Sequence, residues 1–216
     1  MKLLIGDKNY SSWSMRPWVL LKHFGIPFEE VCIELGEPGT KAAILTHSPS
    51  GKLPYLSDDD GLAVWDSLAI AETLAERFPQ HALWPRDPVA RGKARSISAE
   101  MHSGFGELRT NMWMNIRASS FAGKGATPGT LADIARIEAI WSGCLEQYDG
   151  PFLFGEFSIA DAMYAPVVMR FNAWKPALSD TAAAYARRVT ELPAVRAWIE
   201  DAQREPHVIP AYDTCA

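Results

Sequence analysis

A proline-rich connection at residues 79–88 is the feature that most constrains how this chain can fold. Three of its ten residues are proline. Because proline lacks a backbone donor and clashes with the preceding helical turn, no continuous helix can cross this segment. Short strand-like and helix-like runs alternate before it, whereas helical periodicity prevails after it. The sequence therefore predicts two domains, at residues 1–79 and 88–216.

The order of strand and helix patterns in the first predicted domain is typical of a thioredoxin-like layer. The turn sequence Asp58-Asp59-Asp60-Gly61 separates two short apolar runs, which is typical of a β-hairpin. Upstream, two strand-like runs enclose a helical run that ends at a glycine and a proline. We therefore predict a βαβ unit followed by a ββα unit. The predicted strands are residues 3–6, 28–34, 54–57 and 63–65; the predicted helices are residues 15–24 and 68–78, with a short helical or irregular piece at 41–46.

A proline at the start of the third predicted strand conflicts with regular strand pairing. Proline cannot donate a hydrogen bond to a neighbouring strand, so a central strand should not tolerate Pro54. A cis Leu53–Pro54 bond in a tight turn resolves the conflict. It would also leave the backbone N–H and C=O of Leu53 free to pair with an extended, peptide-like ligand.

The second predicted domain is all-helical. Its apolar residues recur at three- and four-residue steps, and Ser158 with Asp161 forms a capping-box pattern, for which we expect a structural role. The fold class is therefore α+β, with a thioredoxin-like N-terminal domain followed by an all-α helical-bundle C-terminal domain. The predicted helices are residues 89–116, 131–148, 158–171, 182–190 and 194–203.

Charge, hydropathy and cysteine usage exclude several function classes. A net charge of −5 disfavours a nucleic-acid or membrane-surface binder. No apolar run approaches the ~20 residues needed to span a bilayer, and the first apolar run is too short for a signal peptide. We expect Cys32 in the core, Cys144 inside a helix and Cys215 at the surface. Three widely spaced cysteines favour neither a disulfide framework nor a metal site, so the expected location is the cytoplasm and no metal is expected.

A serine cluster, Ser11-Ser12-Trp13-Ser14, occupies the turn from the first strand to the first helix. The unpaired N–H groups and positive dipole of a helix N-terminus favour an anion, including a thiolate. A serine hydroxyl there can donate a hydrogen bond to bound sulfur; the alternative is that these serines only cap the helix. Direct dithiol chemistry is improbable because the turn has no cysteine.

A second helix start combines Asp66 with Ser67 after the fourth strand. Ser67 is placed to cap this helix. Its hydroxyl and the first-turn amides can alternatively hold a ligand carboxylate, while Asp66 can hold an ammonium group.

Taken together and in order, these motifs resemble the glutathione transferase superfamily. The serine motif of the first turn is similar to the zeta-class pattern Ser-Ser-Cys-Ser-Trp-Arg-Val-Arg, with Trp13 in place of the cysteine. The resemblance covers nearly the whole chain. Its motifs are Ser11-Ser12-Trp13-Ser14, Ser48-Pro49 through Leu53-Pro54, Asp66-Ser67, and Phe157-Ser158-Ile159-Ala160-Asp161.

The resemblance implies glutathione as co-substrate and a homodimer as the assembly. It implies that a serine of the first turn, Ser11 in preference to Ser12, hydrogen-bonds the glutathione sulfur and favours its thiolate. Lys52 is then a partner for the glycine carboxylate. The implied glutathione-binding residues are Trp13, Lys52, Leu53, Pro54, Asp66 and Ser67.

The expected reaction is attack of the bound thiolate on a small electrophile. We expect this second substrate between the serine turn and the long helix, with Arg109, Met112 and Trp113 in its wall. A maleylacetoacetate isomerase-like cis-trans isomerase and a non-catalytic interaction or scaffold protein are the alternatives. Zeta isomerases carry an arginine where this chain has Ala173, and Arg170 lies one turn earlier.

Overall fold

A computed structural model describes residues 1–214, so Cys215 lies outside the described residues. The first part is a four-stranded mixed sheet with flanking helices, in the strand order β2-β1-β3-β4. Strands β1 and β2 are parallel, whereas β3 is antiparallel to both β1 and β4. The thioredoxin-like prediction is thereby confirmed. The elements are β1 (Lys2–Gly6), α1 (Ser12–His23), β2 (Glu29–Ile33), α2 (Thr40–Leu45), β3 (Tyr55–Ser57), β4 (Ala63–Trp65) and α3 (Ser67–Arg77).

Strand β1 forms the centre of the sheet because its apolar residues are enclosed on both faces. Leu3, Leu4 and Ile5 are completely buried. Strand β2, by contrast, is an edge strand, and Cys32 on it is exposed. The prediction of a core Cys32 was therefore wrong, since the edge position leaves that side of the strand uncovered.

The Leu53–Pro54 peptide bond is cis, as predicted from the sequence. It immediately precedes β3, which begins at Tyr55.

After a short 3₁₀ turn, Pro79–His81, the described residues through Thr214 are mainly helical. Helix α7 is buried along nearly its whole length and packs against α1 and α4, so it forms the centre of the fold. Among the described residues, no helix is long and apolar enough to cross a membrane. The helices are α4 (Pro88–Ser103), α5 (Gly106–Asn111), α6 (Pro128–Tyr148), α7 (Ile159–Trp174), α8 (Asp180–Glu191), α9 (Pro193–Arg204) and α10 (Pro210–Asp213).

The single helix predicted over residues 89–116 was wrong. Helix α4 ends at Ser103, Gly104 is extended, and Phe105 adopts a left-handed conformation with φ 59°. A Cβ at Gly104 would lie 2.8 Å from the Glu100 carbonyl oxygen, so the turn depends on glycine there. Phe105 is buried in the core, which compensates for its unfavourable backbone conformation. After the break, α5 packs against α6, and the Ile116 N–H in the following loop donates to the Asn9 carbonyl at 3.3 Å.

The predicted capping box at the start of α7 is confirmed. The Asp161 carboxylate accepts hydrogen bonds from the Ser158 N–H at 3.0 Å and the Ser158 hydroxyl at 3.1 Å. It also accepts from the Leu153 N–H and the Tyr185 hydroxyl. Complete burial raises the pKa of Asp161 to about 6, against the opposing effect of these hydrogen bonds.

Candidate active site

A cavity of about 980 Å³ lies between the sheet domain and the helices. The serine turn, the loop before β3 and the start of α3 form one side, and residues from α4, α5, α7 and the C-terminal segment form the other. Ten of the eleven residues predicted for the site line this cavity. They are Ser11, Ser12, Trp13, Lys52, Leu53, Pro54, Asp66, Ser67, Arg109 and Trp113.

Met112 is the exception, because it is buried in the hydrophobic core and Met114 lines the cavity in its place. Helix α5 ends at Asn111, and Met112 forms its C-terminal cap. The chain leaves helical geometry at this point, so the spacing of a continuous helix no longer predicts which side chain faces the cavity.

Ser11 is the N-cap of α1 and is bonded within the turn. Its hydroxyl donates to the Ser14 Oγ at 2.7 Å and accepts from the Ser14 N–H at 3.4 Å. The Ser14 Oγ also accepts from the Gly6 N–H at 3.1 Å, which ties the turn to β1. The single hydroxyl proton of Ser11 is therefore engaged inside the turn.

Ser12, the first residue of α1, has a different environment. Its Oγ accepts a hydrogen bond from Nη2 of Arg170 at 3.2 Å. Within residues 1–214, no acceptor lies within hydrogen-bonding distance of the Ser12 hydroxyl proton. Arg170 comes from α7, 158 residues along the chain, and it also lines the cavity.

The start of α3 differs from the sequence prediction in which residue caps the helix. Asp66 is the N-cap, with φ 76°, and its carboxylate accepts from the Leu68 N–H at 2.9 Å. Ser67 accepts instead from Nη1 of the buried Arg16 at 3.1 Å. Because Arg16 donates to the Ser67 oxygen, the Ser67 hydroxyl proton remains available to a ligand.

The second oxygen of Asp66 lies 2.7 Å from Nε2 of His102 on α4. Burial favours the neutral carboxyl, but the hydrogen bonds from His102 and Leu68 outweigh it and lower the pKa of Asp66. Asp66 is therefore an anion at neutral pH, as the recognition of an ammonium group requires. No sequence pattern indicated this contact between His102 and Asp66. Within residues 1–214, no group of three or more histidine, cysteine or acidic side chains is arranged to hold a metal.

Three arginines surround Trp13 and the serine turn. The guanidinium carbons of Arg16 and Arg109 lie 4.2 and 4.8 Å from the Trp13 ring centroid. Burial, and then repulsion from Arg109 and Arg170, lowers the pKa of Arg16 well below its ordinary value. Burial and Arg109 likewise lower the pKa of Arg170. Among the described residues, none of these arginines forms a salt bridge with a carboxylate, so this side of the cavity favours an anionic ligand.

Tyr10 and Tyr212, which the sequence did not indicate, form an aromatic wall of the cavity together with Trp113. Tyr212 on α10 lies near Tyr10 and Trp113, with ring centroids 6.0 and 6.3 Å away. The Trp113 Nε1–H donates to the Tyr212 carbonyl at 2.8 Å. Lys52, in contrast, is exposed at the cavity rim. The short helix α10 has no sustained periodicity, so no sequence signal identified Tyr212.

Comparison with known proteins gives two family matches. Residues 10–77 match the model described as glutathione S-transferase, N-terminal domain, and residues 124–201 match glutathione S-transferase, C-terminal domain. These two ranges include the serine turn, the cis-proline loop, the start of α3 and the capping box of α7.

Full-length relatives agree with these matches. The chain is 31% identical over 176 residues to maleylacetoacetate isomerase of Rattus norvegicus, covering 80% of this chain and 78% of the relative. It is 28% identical to a probable maleylacetoacetate isomerase of Caenorhabditis elegans, covering 80% and 79%. The fold matches the holo structure of a maleyl pyruvate isomerase, titled a bacterial zeta-class glutathione S-transferase, with a TM-score of 0.72, 24% identity and coverage of 96% and 100%.

Proposed function

The chain belongs to the glutathione S-transferase family, nearest the zeta class in its serine motif, and from that premise we propose that it binds glutathione and adds its thiolate to a small electrophile. It is a glutathione S-transferase-like enzyme.

One observation carries the proposal: a single cavity combines partners for each chemical part of glutathione. The serine turn at the start of α1 suits the thiolate. The backbone of Leu53, before the cis-proline, suits the extended peptide. Ser67 and Asp66 at the start of α3 suit the carboxylate and the ammonium of the γ-glutamyl group, and Lys52 at the rim suits the glycine carboxylate.

Thiolate formation is the chemical task of the serine turn. A free thiol with pKa ~8.5 is only a few per cent ionised at pH 7. Lowering that pKa by ~2 units requires about 2.7 kcal/mol of preferential stabilisation of the thiolate. A donating serine hydroxyl and the dipole of the twelve-residue helix α1 are together of the right size.

The remaining part of the cavity is suited to the second substrate. Trp113, Met114, Tyr10 and Tyr212 supply an apolar and aromatic surface, and Arg109 supplies a positive charge. Such a lining accepts a small organic electrophile, and the charge favours one that carries an anionic group.

The test is calorimetric titration with glutathione, followed by conjugation assays with chlorodinitrobenzene and other electrophiles. We expect a glutathione affinity between millimolar and micromolar, about −4 to −8 kcal/mol. Absence of both heat and thermal stabilisation at a glutathione concentration of about 10 mM, above the weakest expected dissociation constant, would contradict the proposal. Glutathione binding without conjugation of any electrophile would contradict the transferase reaction alone.

Glutathione-dependent cis-trans isomerisation is the second candidate. Relatives that include the rat protein bear the name maleylacetoacetate isomerase. Arg170 reaches the cavity, although Ala173 occupies the position of the zeta-class arginine. Isomerisation of a maleyl keto acid with no net consumption of glutathione would favour this candidate over transfer. The open cavity favours either enzyme over the non-catalytic scaffold alternative.

The assembly, location and domain limits are proposed on the same basis. We propose a homodimer in the cytoplasm, with domains at residues 1–79 and 88–216. Sedimentation equilibrium tests the assembly, and a monomer at micromolar concentration would contradict it.

A further inference from the structure

We propose that Arg170 is a positioning residue that orients the Ser12 hydroxyl, so that Ser12 and not Ser11 donates the hydrogen bond to the glutathione sulfur. The inference rests on the proposed function, because it assigns a role within the same thiolate-binding site. It also chooses between two serines that the sequence pattern does not distinguish.

The choice follows from counting hydroxyl protons. A serine hydroxyl has one proton to donate and can accept with its lone pairs. Ser11 donates its proton to the Ser14 Oγ at 2.7 Å, so a bond to sulfur would require that contact to break. The Ser12 Oγ already accepts from Arg170, which directs its lone pair toward the protein and leaves its proton for a ligand.

Arg170 is held rigidly enough to impose this orientation. Arg170 is only 4% exposed, and its Nη1 donates to the Pro166 carbonyl at 3.2 Å one turn earlier on α7. Helix α7 packs directly on α1, which carries Ser12. A planar guanidinium with one edge fixed to its own helix has little freedom to leave the serine.

The charge around the pair favours a thiolate over a thiol. Arg170 is repelled by Arg109, whereas its neighbour Arg16 is repelled by Arg109 and Arg170 and attracted by the Asp66 carboxylate and Tyr164. Within residues 1–214, no carboxylate forms a salt bridge with Arg170. A bound thiolate next to Ser12 would supply the missing negative charge, whereas a neutral thiol would not.

The test compares Ser12→Ala, Arg170→Met, the double variant and Ser11→Ala. The first readout is the pKa of the bound thiol, taken from the ultraviolet absorbance of thiolate as a function of pH. The second is the affinity for S-methylglutathione, which has no ionisable thiol and so reports the fold and tripeptide binding. Arg187→Met, at an exposed position on α8, controls for the change in net charge.

We expect Ser12→Ala and Arg170→Met each to raise the pKa of the bound thiol by about 1–2 units. At a pH below the thiol pKa of both the unmodified protein and the variant, this is about a 10- to 100-fold loss of thiolate. The double variant should show no further rise, because Arg170 acts through Ser12. Affinity for S-methylglutathione should stay within about threefold, the typical scale of changes outside a contact. Arg170→Lys should recover part of the shift. Ser11→Ala, which removes the N-cap of the turn, should raise the thiol pKa by less than Ser12→Ala does, and Arg187→Met should leave it unchanged.

Two different results would overturn the inference. A thiol pKa that rises at least as much in Ser11→Ala as in Ser12→Ala assigns the sulfur to Ser11. Additive rises in the double variant show that Arg170 does not act through Ser12. If the unmodified protein binds neither glutathione nor S-methylglutathione, the proposed function fails and the inference fails with it, which is a separate and recognisable outcome.

Discussion

The buried guanidinium of Arg16 donates a hydrogen bond to the Ser67 hydroxyl at 3.1 Å, joining α1 to the start of α3. Arg16 is 2% exposed and Ser67 is 1% exposed. The arrangement parallels the bond from Arg170 to Ser12. In both pairs an arginine donates from the protein side and leaves a serine proton at the start of a helix for a ligand.

The first prediction concerns Ser67. Ser67→Ala should weaken glutathione binding by about 1–3 kcal/mol, because the ligand carboxylate loses a charge-assisted partner. Calorimetric titration measures the change. Ser96→Ala, at an exposed position on α4, is the matched control and should bind as the unmodified protein does. Equal affinity of the two variants would remove Ser67 from the proposed site.

The break between α4 and α5 gives a second prediction. Gly104→Ala should destabilise the protein by about 1–3 kcal/mol, because the new Cβ would lie 2.8 Å from the Glu100 carbonyl oxygen. Gly143→Ala, inside α6 with no neighbouring atom within 4 Å of the new Cβ, should instead stabilise by up to ~1 kcal/mol. Urea unfolding measures both variants. A Gly104→Ala variant as stable as the unmodified protein would mean that the turn relaxes without cost.

The raised pKa of the capping residue Asp161 leads to a third prediction, that the stability of the folded protein depends on pH. Its pKa is raised from an ordinary value near 4 to about 6 in the folded protein. The folded state therefore binds this proton more tightly than the unfolded chain, and the stabilisation from protonation is lost as the pH rises from about 4 to about 6.

Asp161→Asn removes that titration while keeping an oxygen acceptor. The stability of the unmodified protein relative to Asp161→Asn should be greater at about pH 4 than at about pH 7, by up to ~3 kcal/mol. Denaturant unfolding at the two pH values measures the difference. A constant difference across this range would show that Asp161 keeps an ordinary pKa.

The fourth prediction concerns His207, whose side chain is positively charged when protonated. Its Nδ1 lies 2.9 Å from the Asp7 carboxylate and its Nε2 lies 3.3 Å from Glu37. Burial opposes the charged imidazole, but the bonds to Asp7 and Glu37 outweigh it and raise the pKa of His207. Its stabilising contribution is therefore complete below the ordinary histidine pKa and is lost as the pH rises through the higher folded value.

His207→Gln should accordingly lower the melting temperature by about 1–2 °C more at about pH 6 than at about pH 8. His47→Gln, at an exposed position, is the control for loss of a histidine. Differential scanning calorimetry at both pH values measures the effect. An equal loss at both values would indicate that His207 contributes by packing and not by charge.

Much of the fold could be predicted from local sequence patterns. The cis Leu53–Pro54 bond, the capping box of Asp161 and the order of strands and helices each depend on residues a few positions apart. Capping patterns, turn residues and hydrophobic periodicity act over a few neighbouring residues, so they can be recognised in the sequence without the tertiary structure. The Gly104 break was missed because an apolar residue between two glycines preserves the helical pattern.

The candidate site likewise contains residues that the sequence predicted and contacts that only the tertiary structure shows. The serine turn and the Asp66-Ser67 pair were identified from sequence because the start of a helix is itself a local signal for an anion. The pairing of Arg170 with Ser12, and of Arg16 with Ser67, was decided by tertiary structure alone. An arginine in an apolar helix gives no indication of which hydroxyl it will meet. Its partner is determined by how α7 packs across α1, and this packing joins residues 158 positions apart.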